Sequence, residues 1–64
     1  MLRSVGYDAA SESLEAEFKD GAGWRYYGVP EFIYLQLINS DSLGRFMRDF
    51  IIDRYPDTKL HGKR

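Results

Sequence analysis

The sequence predicts a small α+β domain: a three-stranded antiparallel sheet with two helices packed on one face, in the order β-β-β-α-α. Three observations predict this class. Apolar and acidic residues alternate over residues 13–18, a Gly-Val-Pro break follows at residues 28–30, and apolar residues recur every three or four positions over residues 43–55. Because each amphipathic element needs a partner for its apolar side, a sheet covered by helices satisfies all of them.

Length and composition limit what this chain can be. At 64 residues it is long enough for one domain with a concentrated core. Aromatic residues make up 16% of the chain, and since such side chains bury large areas, no cofactor is needed to explain them. The absence of cysteine excludes disulfides, thiol catalysis and most structural zinc sites. We expect one domain over residues 1–56, without cofactor or metal, and a polar tail over residues 57–64.

The first half of the chain predicts the strands. The first strand covers residues 1–7, and the second, residues 13–18, carries its apolar side chains on one face. Residues 19–23 contain an Asp-Gly pair and a second glycine, which is typical of a hairpin loop. We predict three cross-strand pairs from this loop: Phe18 with Trp24, Ala16 with Tyr26, and Glu17 with Arg25. Trp24 and Tyr26 then point into the core, and Arg25 and Tyr27 point away from it.

The second half predicts the helices. Pro30 ends the third strand and suits the first turn of a helix, because it lacks the amide that a sheet requires. Residues 32–38 are apolar at most positions, so we expect this first helix to be largely buried. A polar run over residues 39–42 ends it, and Ser42 is the expected N-cap of a second helix that reaches Tyr55 and stops at Pro56.

The order of these motifs resembles the KTSC domain, a family named for its occurrence at the C-terminus of some lysyl-tRNA synthetases and also found alone in small bacterial and phage proteins. The resemblance covers about residues 2–55. The family's central aromatic-x-aromatic motif, usually Tyr-x-Tyr, is Trp24-Arg25-Tyr26 in this chain. The other matching positions lie in the opening strand and the two helices: Val5-Gly6-Tyr7-Asp8, Val29-Pro30, and Ser42, Gly44, Phe46, Ile51 and Tyr55. Arg48 departs from the family, where a small polar residue, commonly Asn, is expected.

The resemblance implies RNA binding, of the tRNA type, because of the family's attachment to a tRNA synthetase. Proteins bind single-stranded RNA by stacking exposed aromatic side chains on bases and by placing Arg or Lys near phosphates. The candidate contacts lie on two surfaces: Arg25 and Tyr27 on the outer face of the sheet, and Arg45 and Arg48 on the second helix, with Lys59, Lys63 and Arg64 following in the tail. The motif residues Trp24 and Tyr26 are predicted to be structural.

Each of these surfaces also has a plain structural interpretation. Glu15 and Glu17 share the outer face with Arg25 and would neutralise it, and Asp49 and Asp53 make the second helix a solvated face of mixed charge. The chain has nine Lys and Arg against ten Asp and Glu, with a pI near 5.7, although residues 33–64 carry a net charge of +2 and residues 1–32 one of −3. This charge is far weaker than that of a dedicated nucleic-acid binder.

The alternative function is protein–protein interaction or self-association, as a homodimer, through free sheet edges and the outer face near Tyr27. We rank RNA binding slightly ahead of it because of the family context. Catalysis is not expected, since His61, the only histidine, falls in the predicted tail without a nucleophile or second ligand beside it. The N-terminal residues contain no apolar run that could act as a signal peptide or membrane span, so we expect a cytoplasmic protein without a membrane partner.

Overall fold

A computed structural model, which describes residues 2–61, shows a four-stranded antiparallel sheet with two helices packed on one face. The strands are adjacent in chain order: β1 (Leu2–Asp8), β2 (Ser13–Phe18), β3 (Gly23–Tyr26) and β4 (Asp57–His61). Between β3 and β4 lie helix α1 (Glu31–Ile38) and helix α2 (Leu43–Phe46), and α2 continues as a π-helical turn over Met47–Ile51. The α+β class is as predicted, but the sheet has one strand more than expected.

The prediction of three strands followed by a frayed tail is wrong, because residues 57–61 form β4 along the edge of β3. Arg25 pairs with Thr58, and the amide of Tyr27 donates to the carbonyl of Pro56 at 2.9 Å. Every residue of β4 is exposed. A strand without a buried face shows no alternation of apolar and polar residues. Its sequence therefore does not indicate the backbone hydrogen bonds that hold it to β3.

The register predicted for the β2–β3 hairpin is wrong by two residues. Leu14 lies opposite Tyr26, Ala16 opposite Trp24, and Glu15 opposite Arg25. The difference arises in the turn, where the amide of Phe18 donates to the carbonyl of Ala22 at 2.9 Å, so that the loop is shorter than expected. Because the shift is an even number of residues, each side chain keeps its predicted face of the sheet.

The core lies between the sheet and the helices. Its buried side chains come from every layer: Leu14, Ala16, Tyr26, Val29, Leu37, Met47 and Ile51. Tyr26 is only 2% exposed, and Trp24 packs half-buried at the edge of this cluster. Tyr7 of β1 stacks on Tyr34 of α1 with ring centroids 5.0 Å apart, and its hydroxyl donates to the carbonyl of Val29. These contacts hold β1, an edge strand of the sheet, against α1 and the residues just before it.

Helix α1 begins at Glu31, directly after Pro30. The prediction that this helix is largely buried is wrong. Leu37 is the one residue of this helix that is fully covered, whereas Phe32 remains 60% exposed and Leu35 46% exposed. The reason is geometric, since α1 carries apolar side chains around most of its circumference and a single small sheet covers only one side of a helix.

The second helix begins as predicted, because the hydroxyl of Ser42 accepts a hydrogen bond from the amide of Arg45 at 3.2 Å. It ends earlier than predicted, at Ile51 instead of Tyr55. Ile52 is extended, and Asp53 takes a left-handed backbone conformation with φ of 67°. Once a residue leaves the helical region in this way, the chain turns and can enter β4 after Pro56.

Candidate interaction surfaces

Two sides of the molecule face solvent, and each is a candidate site. The outer sheet face lies opposite the helices and comprises alternate strand residues: Ser4, Gly6, Glu15, Glu17, Gly23, Arg25 and Thr58. The helical apolar surface comprises the exposed large side chains of the two helices: Phe32, Leu35, Ile38, Leu43 and Phe50. Tyr27 follows β3 and hydrogen-bonds to Arg25, so it adjoins the outer sheet face, and two of the residues predicted to bind RNA lie on this side. The helical apolar surface was not predicted.

On the outer sheet face, Arg25 is occupied by an ion pair with Glu15. Its Nη2 lies 2.6 Å and its Nε 3.0 Å from the same carboxylate oxygen of Glu15. The side-chain hydrogen bond to Glu15, and then one to Tyr27, raise the pKa of Arg25 above its ordinary value. Tyr27 is 38% exposed, so its ring is partly accessible beside this pair. The predicted acid–base neighbour of Arg25 was Glu17, and the two-residue register shift replaces it with Glu15.

A shallow groove of about 280 Å³ crosses the outer sheet face near Gly6 and Gly23. His61 of β4 forms one end of the groove, with Nδ1 3.1 Å from the carbonyl of Gly21. Its ring lies over Gly23, where an added Cβ would collide with the imidazole. The prediction that His61 sits in a frayed tail is therefore wrong, and the residue instead joins the end of β4 to the hairpin turn.

The cations predicted for the second RNA surface are not gathered into one cluster. Arg48 contacts Asp49, with Nε 3.4 Å from a carboxylate oxygen. Arg45 lines a groove of about 220 Å³ together with Phe50 and two acids, Asp41 and Asp49. Lys59 of β4 lies elsewhere, with its ammonium group 6.0 Å from the centroid of the Trp24 ring. Lys63 and Arg64 lie outside the described residues.

The helical apolar surface follows from the spacing of residues on α1. Phe32, Leu35 and Ile38 are three positions apart, so they run along one side of the helix, away from the buried Leu37. Their exposed fractions are 60%, 46% and 45%. On the second helix, Phe50 is 52% exposed and rests on Phe46 with ring centroids 4.7 Å apart. No charged residue occurs from residue 32 to residue 40.

Sequence reasoning missed this surface because it treated an apolar helix as a buried one. The available signal was that α1 has no polar side, so any exposed part of it had to be apolar. Chemically, the surface offers area for hydrophobic contact and almost no directional hydrogen bonding.

Within residues 2–61, no helix has the length and apolar character needed to cross a bilayer. Over the same residues, no three His, Cys, Asp or Glu side chains converge in a way that could hold a metal ion.

Comparison with known proteins places the chain among KTSC domains. It matches the family profile described as the KTSC domain over residues 1–55. A protein of Stutzerimonas stutzeri (strain A1501) named as uncharacterized is 50% identical over 44 residues, 69% of this chain and 62% of that relative. A protein of Tsukamurella paurometabola is 33% identical over 84% of this chain and 81% of its own length. The chain thus spans less than two thirds of the first relative and most of the second.

A solved structure shows the same fold. The crystal structure of a KTSC domain protein from Yersinia pestis superposes with a TM-score of 0.87 at 31% sequence identity, covering 94% of this chain and 84% of that one.

Proposed function

We propose that this chain, which belongs to the KTSC domain family, is a non-catalytic interaction module that binds a protein partner through the helical apolar surface. Its two helices leave five large apolar side chains exposed to solvent. The observation that carries the proposal is the exposure of Phe32, Leu35, Ile38, Leu43 and Phe50 on a domain of 7.5 kDa. Single exposed apolar residues are normal in folded proteins, whereas several such residues on two consecutive helices mark a candidate interaction site.

The area involved supports an interaction. Added over the two helices, the five side chains leave on the order of 450 Å² of apolar area exposed to solvent, an amount comparable to that of functional apolar patches on monomers. The whole described surface is only 4317 Å². A feature that takes roughly a tenth of the surface and contributes little to the core is best explained by contact with another molecule.

Protein fits this surface better than RNA does. RNA binding needs cations beside the aromatic rings, yet α1 carries no cation at all. Arg45 is the cation that shares a groove with Phe50, and Asp41 and Asp49 line the same groove and repel phosphate. An apolar side chain of a protein partner suits the groove, with the charged residues at its rim available for polar contacts.

The test is photo-crosslinking in the protein's own host, with a photoreactive phenylalanine analogue placed at position 35 in one variant and at position 27 in another. Position 35 samples the helical apolar surface, and position 27 samples the outer sheet face. We expect position 35 to give protein adducts that position 27 does not give, and we expect Phe50→Asp to reduce them. RNA adducts from either position, or no adduct that is specific to position 35, would overturn the proposal and in the first case would favour RNA binding.

A further inference from the structure

We propose that the occupant of the helical apolar surface is a second copy of this chain, so that the protein is a two-fold symmetric dimer packed through its helices. This inference rests on the proposed function and names its partner. The sequence suggested self-association through free sheet edges and the outer face near Tyr27, whereas this inference places the interface on the helices.

The sheet edges are poor sites for a second copy. β1 lies at one edge of the sheet, and its pairing with β2 has a bulge between Leu2 and Ser4, with Arg3 at that point. Bulges and charged residues on an edge strand resist pairing with a further strand. The edge of β4 carries Asp57, Lys59 and His61 along a strand of five residues, all exposed. Neither edge offers an apolar area comparable to that of the helices.

The area of the helical apolar surface matches what a stable dimer needs. A standard interface buries about 800 Å² on each partner, and a little over half of that area is apolar. For this chain such an interface would cover roughly a fifth of its 4317 Å² surface. The exposed side chains of the two helices already supply the apolar share, with Phe32 and Phe50 as the large aromatic anchors that interfaces favour.

The charge distribution also favours a copy of the same chain. A two-fold interface brings the same patch of both copies together, so any strongly charged patch would repel itself. The exposed side of α1 has no charge after Glu31, and the rim contains both signs, with Asp41 and Asp49 beside Arg45. The net charge of the chain is −1, so the long-range repulsion between two copies is small.

The experiment is sedimentation equilibrium of the full chain from about 10 μM to about 1 mM, a span that detects dissociation constants typical of weak and moderate dimers. We expect a reversible equilibrium between a 7.5 kDa monomer and a dimer of twice that mass. Added salt should not weaken it, because apolar contacts are not screened.

Two matched variants test the surface. Leu35→Asp places a charge at the centre of the apolar side of α1 and should weaken dimerisation by roughly tenfold or more. Thr58→Asp adds the same charge at an exposed position of the outer sheet face, which the proposed dimer leaves open, and should change the dissociation constant by less than about threefold. Circular dichroism of both variants shows that any difference is not a loss of folding.

The outcomes separate this inference from the proposed function. A chain that stays monomeric at the highest concentration, or a dimer unaffected by Leu35→Asp, overturns the second copy as occupant. If the crosslinks from position 35 then join this chain to a different protein, the interaction module survives with another partner. If position 35 yields neither self-adducts nor other protein adducts, both proposals fail.

Discussion

The two solvent-facing sides of this small domain differ in how their polar and apolar groups are arranged. The outer sheet face has small residues and an ion pair between Arg25 and Glu15, so Arg25 already has a partner within the chain. The helical side leaves Phe32 and Phe50 more than half exposed. Arg25, the candidate cation of the outer sheet face, is thus occupied within the chain, whereas the helical side has the larger exposed apolar area.

The difference arises from the two kinds of secondary structure. Strand residues alternate between faces, so β2 could place Leu14 in the core and Glu15 in water at adjacent positions. Helix α1 has no such division, because apolar side chains surround it and only the side near Leu37 meets the sheet. The apolar side chains of α1 that the sheet does not cover therefore stay exposed to solvent.

Truncations at two neighbouring residues of opposite sheet faces should differ most in their effect on the free energy of unfolding. Tyr26→Ala should lower the free energy of unfolding by about 3–5 kcal/mol, because it removes a large buried side chain from the centre of the core. Tyr27→Ala, on the outer face, should cost less than about 1 kcal/mol. Urea denaturation of both variants measures the difference, and equal losses would mean that the two faces of β3 do not differ as described.

A pH experiment sharpens the same comparison without truncating a side chain. Burial first, and then the charges of Asp57 and Asp53, raise the pKa of Tyr26 to about 12. In the unfolded chain a tyrosine titrates near 10, so the folded state holds its proton more tightly. The resulting stability is fully present below about pH 10 and is lost as the pH rises towards about 12, and it amounts to roughly 2 kcal/mol.

The measurement for this effect is urea unfolding from about pH 9 upwards, with Tyr26→Phe as the reference. Since phenylalanine does not titrate, the difference in stability between the two proteins should fall across this range. A constant difference would show that the Tyr26 hydroxyl is not held in a buried environment.

The smallest expected effect lies on the outer sheet face, at two glycines. Gly23→Ala should displace the ring of His61 and break its contact with the Gly21 carbonyl, at a cost below about 1 kcal/mol because the exposed ring can swing away. Gly6→Ala is the matched control, since a Cβ there meets no atom within 4 Å. The NMR chemical shifts of the His61 ring should change in Gly23→Ala and stay the same in Gly6→Ala. Large shifts in both would mean that the outer sheet face is less tolerant than the comparison states.

Part of the candidate site could be predicted from sequence. Arg25 and Tyr27 were placed on the outer face by strand parity, and the structure places them there beside an acidic partner. Their role in RNA binding stays a prediction, as does that of Arg45 and Arg48. The helical apolar surface could not be predicted, because exposure depends on how much of a helix the rest of the chain is able to cover.

Features that depend on neighbouring residues could be predicted from the amino-acid sequence. Alternation in β2 assigned the faces of the sheet, Pro30 and Ser42 started the two helices, and the order of short motifs indicated the KTSC family. These signals are local, since they arise from backbone geometry and from the period of each element.

The remaining features of the fold could not be predicted from local patterns. The addition of β4 to the sheet, the two-residue shift of the hairpin and the exposed side of α1 depend on pairing and coverage between distant parts of the chain. Backbone hydrogen bonds to β4 carry no side-chain signature, and a shift by two residues leaves every face unchanged. When a helix is apolar around most of its circumference, its sequence likewise does not indicate which side the sheet will bury.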